Sequence, residues 1–157
     1  MADFVHLHTH SEFSLLDGLG KLDKLIERAK AYGMTSLGLT DHGAMYGSFK
    51  FYMKAKAAGL KPILGVETYV ARRSRLDKEG KADTDPFHLV ILAKNETGYR
   101  NLLKLVTIAH LEGFYYKPRI DWETLAVHHE GLICLSACLA GELSQQLLVN
   151  NYDGAVA

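Results

Sequence analysis

Residues 36–70, SLGLTDHGAMYGSFKFYMKAKAAGLKPILGVETYV, decide the fold class because strand and helix patterns alternate along them. The apolar run Ser36 to Thr40 is typical of a buried strand, and Pro62 to Val70 repeats that pattern. The segment between them places four apolar or aromatic side chains on one face of a helix: Phe49, Tyr52, Met53 and Ala57. A strand, a helix and a second strand in this order predict a β/α unit with parallel strands.

The same alternation continues on both sides of this stretch. Further strands are predicted over residues 5–8, 87–93 and 132–136, and further helices over 22–33, 99–106, 121–127 and 142–149. The inner face of the helix over 99–106 is expected to carry Tyr99, Leu102, Leu103 and Val106. Arg72 to Asp85 is charged and shows no periodicity, so we expect an exposed loop there. The sequence therefore predicts an α/β domain built on a parallel sheet.

Composition excludes several classes of protein. The chain has 157 residues, 48% hydrophobic and 23% charged, which fits at most one globular domain. Lys+Arg and Asp+Glu both count 18, which gives no support to a broadly basic nucleic-acid-binding surface. The two cysteines are too few for a secreted disulfide scaffold, and no apolar run approaches the ~20 residues that span a bilayer. We therefore predict a cytoplasmic protein without a membrane partner, and a chain that ends within a longer protein.

Three histidines alternate along the first predicted strand: His6, His8 and His10. On a strand their side chains leave the same face about 6.6 Å apart, which suits a shared metal cluster. Burying three imidazoles without a metal or hydrogen-bond partners would cost desolvation free energy. Taken alone, the pattern is equally compatible with a partly solvated histidine row at a sheet edge.

Further metal-binding side chains follow the predicted strands. Asp41 and His42 come directly after the second strand, Glu67 lies near the end of the third, and Cys138 follows the fifth. Ligands gather at the carboxyl ends of strands in parallel α/β sheets and barrels, so these groups are expected to meet. His88 fits less well, because it lies near the beginning of the fourth strand. Each has an ordinary alternative: His42 as a helix cap, Glu67 paired with a lysine, Cys138 in the core.

The mixture of imidazole, carboxylate and thiol groups indicates zinc and also fits manganese or iron. The candidates outnumber the four ligands of one tetrahedral zinc, so we expect at least two ions that share a carboxylate. Two ions about 3.5–4 Å apart hold a phosphate, lower the pKa of a bound water and stabilise the leaving oxygen. The predicted chemistry is therefore hydrolysis of phosphate esters.

Aromatic and basic residues interleave in the segment FYYKPRID, residues 114–121. Lys117 and Arg119 are candidates for contacts with nucleic-acid phosphates, with the neighbouring aromatic rings stacking on bases. A packed loop whose cations extend along apolar surface explains the same residues equally well.

Four stretches carry a resemblance to a known family: HLHTHSEFSLLDG at 6–18, LTDHGAMYG at 39–47, GVETYV at 65–70 and LSACLAGE at 135–142. In this order they resemble the motifs of the PHP domain (polymerase and histidinol phosphatase). The first stretch and FYYKPRID are more specifically similar to the N-terminal region of bacterial DNA polymerase III alpha subunits. Residues 1–157 are accordingly interpreted as the N-terminal portion of a PHP domain.

The resemblance implies a fold, a ligand set and a cofactor. It implies the N-terminal part of a distorted seven-stranded β/α barrel, truncated before closure, that binds two to three ions when complete. The implied metal ligands are His8, His10, Asp17, His42, Glu67, His88 and Cys138. His6 is outside that set, and the family's last Asp-x-His motif does not occur after Cys138.

The resemblance also implies a function and partners. The parent protein is expected to be a replicative DNA-directed DNA polymerase, with this region acting as a metal-dependent 3′–5′ exonuclease that proofreads a primer 3′ end. DNA, the rest of the polymerase chain and other replisome subunits are the expected partners. Two alternatives stay open: a non-catalytic, metal-stabilised module that docks a separate proofreading exonuclease, and a stand-alone phosphatase of the histidinol-phosphate type.

Overall fold

A computed structural model describes residues 4–15 and 17–156. The helices are α1 (Leu22–Ala31), α2 (Ser48–Ala57), α3 (Glu96–Leu111), α4 (Trp122–Val127), α5 (Glu142–Leu148) and α6 (Tyr152–Val156). The strands are β1 (Ser36–Leu39), β2 (Lys61–Val70), β3 (Phe87–Ala93), β4 (Arg119–Ile120) and β5 (Leu132–Leu135). Within the described ranges, no helix is both long enough and apolar enough to cross a membrane.

The strands form one mixed five-stranded sheet in the order β1-β2-β3-β5, with β4 paired to β2. β1 and β4 run parallel to β2, whereas β3 runs antiparallel to β2, and β5 antiparallel to β3. The α/β prediction is confirmed, but the prediction of a parallel sheet is wrong. A parallel pair needs a long crossover, usually a helix, and the segment between β2 and β3 supplies only the 3₁₀ turn Gly80–Asp83. The described sheet is open at β1 and β5, in agreement with a partial barrel.

The N-terminal segment, residues 4–10, does not form the predicted strand over 5–8. It lies beside β1 through two backbone hydrogen bonds, from the Gly38 N–H to His6 O at 2.8 Å and from the Thr40 N–H to Thr9 O at 2.9 Å. A Cβ on Gly38 would stand 3.0 Å from backbone atoms of His6 and Leu7, so glycine permits this close approach. The segment is therefore fixed beside β1 without a continuous ladder.

The apolar core has two clusters. One packs α3 and α4 against β2 and β3: Val66, Val70, Phe87, Ile91, Leu102, Leu105, Ala109, Ile120 and Leu125. The other packs α1 and α2 against β1: Leu22, Ile26, Ala29, Leu37, Leu39, Phe51, Ala55 and Leu60. On α3, Leu102 and Val106 face the core as expected, whereas Leu103 is exposed.

The face of α2 that we singled out from the sequence is the exposed one. Phe49, Tyr52 and Met53 are all exposed, while Phe51 and Ala55 carry the contacts with the core. Helix α2 has apolar side chains on two stripes, and spacing alone does not say which stripe meets the sheet.

The loop 72–85 is more structured than predicted, because a buried arginine holds it. Arg119 is 0% exposed, and its guanidinium donates to four backbone carbonyls, those of Arg75, Asp77, Asp83 and Gly113. Arg119 therefore has few donors left for the nucleic-acid contact expected from the sequence, since four of them already bind backbone oxygens inside the protein. The strand β4 that carries Arg119 was not predicted.

Candidate metal centre

Four parts of the fold bring the predicted ligands together around one buried carboxylate. The N-terminal segment beside β1 presents His8 and His10, and the turn after β1 presents His42. A bridge between His42 and Glu67 continues the parallel pairing of β1 and β2, with the Gly43 N–H donating to Glu67 O at 2.8 Å. These contacts fix the three histidines on the side of the sheet that Glu67 faces.

The antiparallel direction of β3 explains the position of His88. Register pairs His88 with Tyr69, two residues beyond Glu67 on β2. The start of β3 therefore lies beside the end of β2, which removes the objection that His88 is at the wrong end of its strand. The backbone N–H of His88 donates to Ala140 O at 3.0 Å, which brings the segment after β5, including Cys138, to the same place.

Glu67 is the centre of the cluster. It is 1% exposed, and its Oε2 lies 2.9 Å from both His8 Nε2 and His10 Nε2, and 3.2 Å from His42 Nδ1. Its Oε1 lies 2.9 Å from His88 Nδ1 and 3.7 Å from Cys138 Sγ. The carboxylate thus presents one oxygen to three imidazoles and the other to an imidazole and a thiol.

Two groups of three ligand atoms are close enough to hold a metal ion, and Glu67 belongs to both. One group is His8, His10 and Glu67, and the other is His42, Glu67 and His88. Two ligands of a tetrahedral zinc lie about 3.3 Å apart. His8 Nε2 and His10 Nε2 are separated by 3.2 Å. The spacing of the first group therefore suits a small divalent cation.

His42 gives a second indication that the cluster suits a cation. Its Nδ1 is buried and, although Glu67 Oε2 lies 3.2 Å away, it has no partner in hydrogen-bonding geometry among the described residues. A buried nitrogen without a partner costs free energy, and a metal ion is a natural partner for an imidazole lone pair. The donor set therefore fits divalent metal ions.

Asp17 and Cys138 reach the cluster from its rim. Asp17 Oδ2 lies 2.9 Å from His42 Nε2, on the side of the ring away from Glu67, and its side chain is 58% exposed. Cys138 Sγ lies 3.6 Å from His88 Nδ1. The structure thus brings all seven predicted ligands together, whereas the exposed His6 contacts Phe4 instead.

The cluster changes the protonation of its members. Burial acts to raise the pKa of Glu67, but hydrogen bonds from His10, His88 and His8 outweigh it and hold that pKa well below its usual range. The hydrogen bond to Glu67 raises the pKa of His10. Burial lowers the pKa of His42, because its charged form is disfavoured there, and the neutral ring keeps a lone pair for a metal.

Comparison with protein families identifies the domain. The family model of the PHP domain matches residues 6–157. The chain belongs to the PHP domain family. A DNA polymerase III subunit alpha from Borreliella burgdorferi is 50% identical to this PHP domain over 97% of the chain and 13% of the relative. One from Aquifex aeolicus is 52% identical over 98% of the chain and 14% of the relative.

The chain thus spans only about an eighth of the length of these relatives. Among solved structures, an amidohydrolase from Chromobacterium violaceum superposes with a TM-score of 0.49 and 26% identity, over 69% of this chain and 33% of that one.

Polar residues outside the predicted set of seven ligands surround the ligands of this PHP domain. Asp41, Ser11 and Ser14 are buried, and Ser14 Oγ lies 2.9 Å from His10 Nδ1. Their positions within the HLHTHSEFS and TDHG motifs were the available signal. His110 Nε2 lies 2.9 Å from Gly43 O and so supports the turn that carries His42.

Lys117 lies near the metal centre of the PHP domain. Its Nζ lies 3.3 Å from the Tyr69 hydroxyl and 4.6 Å from the centre of the Tyr69 ring. The same ring stacks on His42 at 5.9 Å and meets His88 edge-on at 5.1 Å. The ring of Tyr69 therefore contacts the exposed ammonium group of Lys117 as well as the two predicted ligands His42 and His88.

Proposed function

We propose that this PHP domain is the metal-dependent phosphoesterase part of a DNA polymerase III alpha subunit, acting as a 3′–5′ exonuclease on the primer 3′ end. The main support for this proposal is that Glu67 belongs to two groups of potential metal ligands. Sharing of one buried carboxylate is the arrangement expected of a site for two neighbouring ions. We assign zinc as the metal, with manganese and iron as alternatives.

Each part of the cluster has a role in this proposal. The residues of the two ligand groups would hold divalent ions, which would supply positive charge to a phosphodiester and lower the pKa of a bound water. Glu67 holds the ligand groups around one point, and the exposed carboxylate of Asp17 offers an oxygen donor to a further ion at the rim of the cluster. His8 and His10 are about a quarter exposed, so the cluster opens to solvent and a substrate can reach it.

Lys117 is the residue we assign to the substrate phosphate. Its ammonium group is exposed, is held against the Tyr69 ring, and makes no ion pair with a carboxylate within the described part of the chain. A lysine beside a metal centre neutralises phosphate charge as a point charge, without demanding one geometry. Of the two residues expected from the sequence to contact nucleic acid, the proposal keeps Lys117 and leaves out Arg119.

The polymerase context rests on the relatives. Two proteins named DNA polymerase III subunit alpha share 50% and 52% identity with nearly the whole chain. By this proposal the domain works within a longer, cytoplasmic polymerase chain, with DNA and other replisome subunits as partners. The intact cluster supports a catalytic role over a role in docking a separate exonuclease.

The test compares Glu67→Gln with Glu123→Gln in the full polymerase chain. Glu123 is a matched control because its carboxylate is 83% exposed and belongs to neither ligand group. We expect two or more metal ions per wild-type chain by mass spectrometry, and release of nucleotides from a 3′-mismatched primer. Glu67→Gln should lose at least one ion and slow this hydrolysis at least about tenfold, since even outer-shell changes cost about 10–100-fold. DNA synthesis and Glu123→Gln should be unaffected.

A metal-free wild-type chain that extends primers but never shortens them would overturn the proposal. The docking role would then be the better account. Equal hydrolysis by wild type and Glu67→Gln would show that the activity lies elsewhere in the polymerase.

A further inference from the structure

We propose that Asp41 acts through the Ser14 hydroxyl to fix which nitrogen of His10 faces the metal position, an inference that rests on the proposed metal centre. Asp41 and Ser14 are then positioning residues, not ligands. Neither belongs to the predicted ligand set, and the two together join the HLHTHSEFS segment to the turn after β1.

Asp41 is a buried carboxylate that collects hydrogen bonds from the N-terminal segment. Its Oδ1 accepts from the Ser11 backbone N–H at 2.6 Å and from Ser14 Oγ at 2.7 Å. Its Oδ2 accepts from Ser11 Oγ at 2.8 Å. The carboxylate is 2% exposed, so these donors replace the solvent that would otherwise stabilise its charge.

The number of hydrogens available to the Ser14 hydroxyl determines the direction of its hydrogen bond with His10 Nδ1. An ionised carboxylate only accepts, so the single hydrogen of the Ser14 hydroxyl is directed to Asp41. The Ser14 oxygen must then accept from its other neighbours, the His42 backbone N–H at 3.0 Å and His10 Nδ1 at 2.9 Å. His10 Nδ1 therefore carries a hydrogen.

The consequence reaches the metal position through the imidazole ring. A neutral imidazole has one N–H, so a hydrogen on Nδ1 leaves a lone pair on Nε2. His10 Nε2 faces Glu67 Oε2 at 2.9 Å and His8 Nε2 at 3.2 Å. A lone pair directed at a carboxylate oxygen is repulsive unless a proton or a cation lies between them. The relay therefore prepares His10 as a ligand, as outer hydrogen bonds do for metal-binding histidines.

Ser11 provides a matched control. Like Ser14 it is fully buried and donates its hydroxyl to Asp41, but that hydroxyl otherwise accepts from the Phe13 backbone N–H. Ser11→Ala and Ser14→Ala thus remove one hydroxyl each from the same carboxylate. Only Ser14→Ala removes the acceptor of the His10 Nδ1 hydrogen.

The experiment has two readouts, neither of which needs hydrolysis. Zinc titration by calorimetry should show that Ser14→Ala weakens binding about 10–100-fold, with a clearly smaller loss in Ser11→Ala. Nitrogen-15 shifts of the His10 ring in zinc-free protein should show a hydrogen on Nδ1 in wild type and Ser11→Ala. The Nε2–H tautomer should gain population in Ser14→Ala. Circular dichroism verifies that each variant folds.

Asp41→Asn keeps the inference testable if Ser14→Ala does not fold. Its amide oxygen can still accept from Ser14, so it should preserve the hydrogen on His10 Nδ1 in spite of the lost charge. Equal zinc affinities for Ser11→Ala and Ser14→Ala with an unchanged tautomer, or the Nε2–H tautomer in wild type, would overturn the inference. A protein that shows the Ser14 dependence yet hydrolyses no primer would refute the proposed nuclease and leave this relay standing.

Discussion

Arg119 is a buried cation whose four hydrogen bonds within the described residues all go to main-chain oxygens. Its Nε donates to Gly113 O at 3.0 Å, and its two terminal nitrogens donate to Asp83 O, Arg75 O and Asp77 O. Burial lowers its pKa by disfavouring the charged form. The planar fork of a guanidinium suits several acceptors at fixed angles, which a single ammonium group cannot reproduce.

Arg119→Lys should therefore destabilise the protein even though it keeps the charge. We expect the free energy of unfolding to fall by about 3 kcal/mol or more, because several buried carbonyls lose their donor. Arg100→Lys is the control, since Arg100 is 72% exposed and pairs with Glu96 one turn away. It should change stability by less than about 0.5 kcal/mol. Urea denaturation measures both, and similar values for the two variants would contradict the structural role of Arg119.

The sequence predicts the metal ligands better than the residues that hold the ligands and the loops in place. His8, His10 and His42 occur in short motifs whose residue types indicate metal binding. In the structure all three lie next to Glu67. Ser14 and Arg119 are not of residue types that indicate metal binding, although Ser14 lies within the HLHTHSEFS motif. The role of a hydroxyl or a guanidinium depends on which distant groups surround it, and those groups are known only once the chain is folded.

Helix α2 allows a sharp test of which face meets the core. Phe51 is 1% exposed and packs in the cluster with α1 and β1, whereas Phe49 is 74% exposed on the same helix. Phe51→Ala should cost about 3–5 kcal/mol of unfolding free energy, because it removes buried apolar surface and leaves a cavity. Phe49→Ala should cost less than about 1 kcal/mol. Thermal or chemical denaturation measures the loss of unfolding free energy in both variants. A larger loss for Phe49→Ala than for Phe51→Ala would mean that the opposite face of α2 is buried.

Strand direction was the main property of the elements that the sequence did not supply. The bounds of β3, Phe87–Ala93, agree with the predicted strand over 87–93. Its direction depends on the route of the preceding loop, which Arg119 holds in place from β4. An apolar run has the same appearance in parallel and antiparallel pairs when both faces are buried. The position of His88 at the start of its strand was a clue to the antiparallel pairing.

At the scale of the whole molecule, the metal centre lies where the two core clusters meet. His42 follows β1, which packs in the cluster with α1 and α2, while β2 and β3 contribute residues to the other cluster. The N-terminal segment contributes His8 and His10 but has few backbone bonds to the sheet. Ions held by groups from all these parts would join them, so metal binding should stabilise the fold as a unit.

Zinc should accordingly raise the unfolding temperature of the chain. A ligand present at 100 times its dissociation constant adds about 2.7 kcal/mol to the unfolding free energy, which corresponds to about 5–10 °C for a domain of this size. His88→Ala should reduce this rise, because His88 contacts Glu67 at 2.9 Å. His129→Ala should keep it, since His129 is exposed and lies outside both ligand groups. Calorimetric scans with zinc and with chelator measure the difference for each variant. An unfolding temperature that is the same with zinc and with chelator would show that the cluster does not link the two cores through a metal.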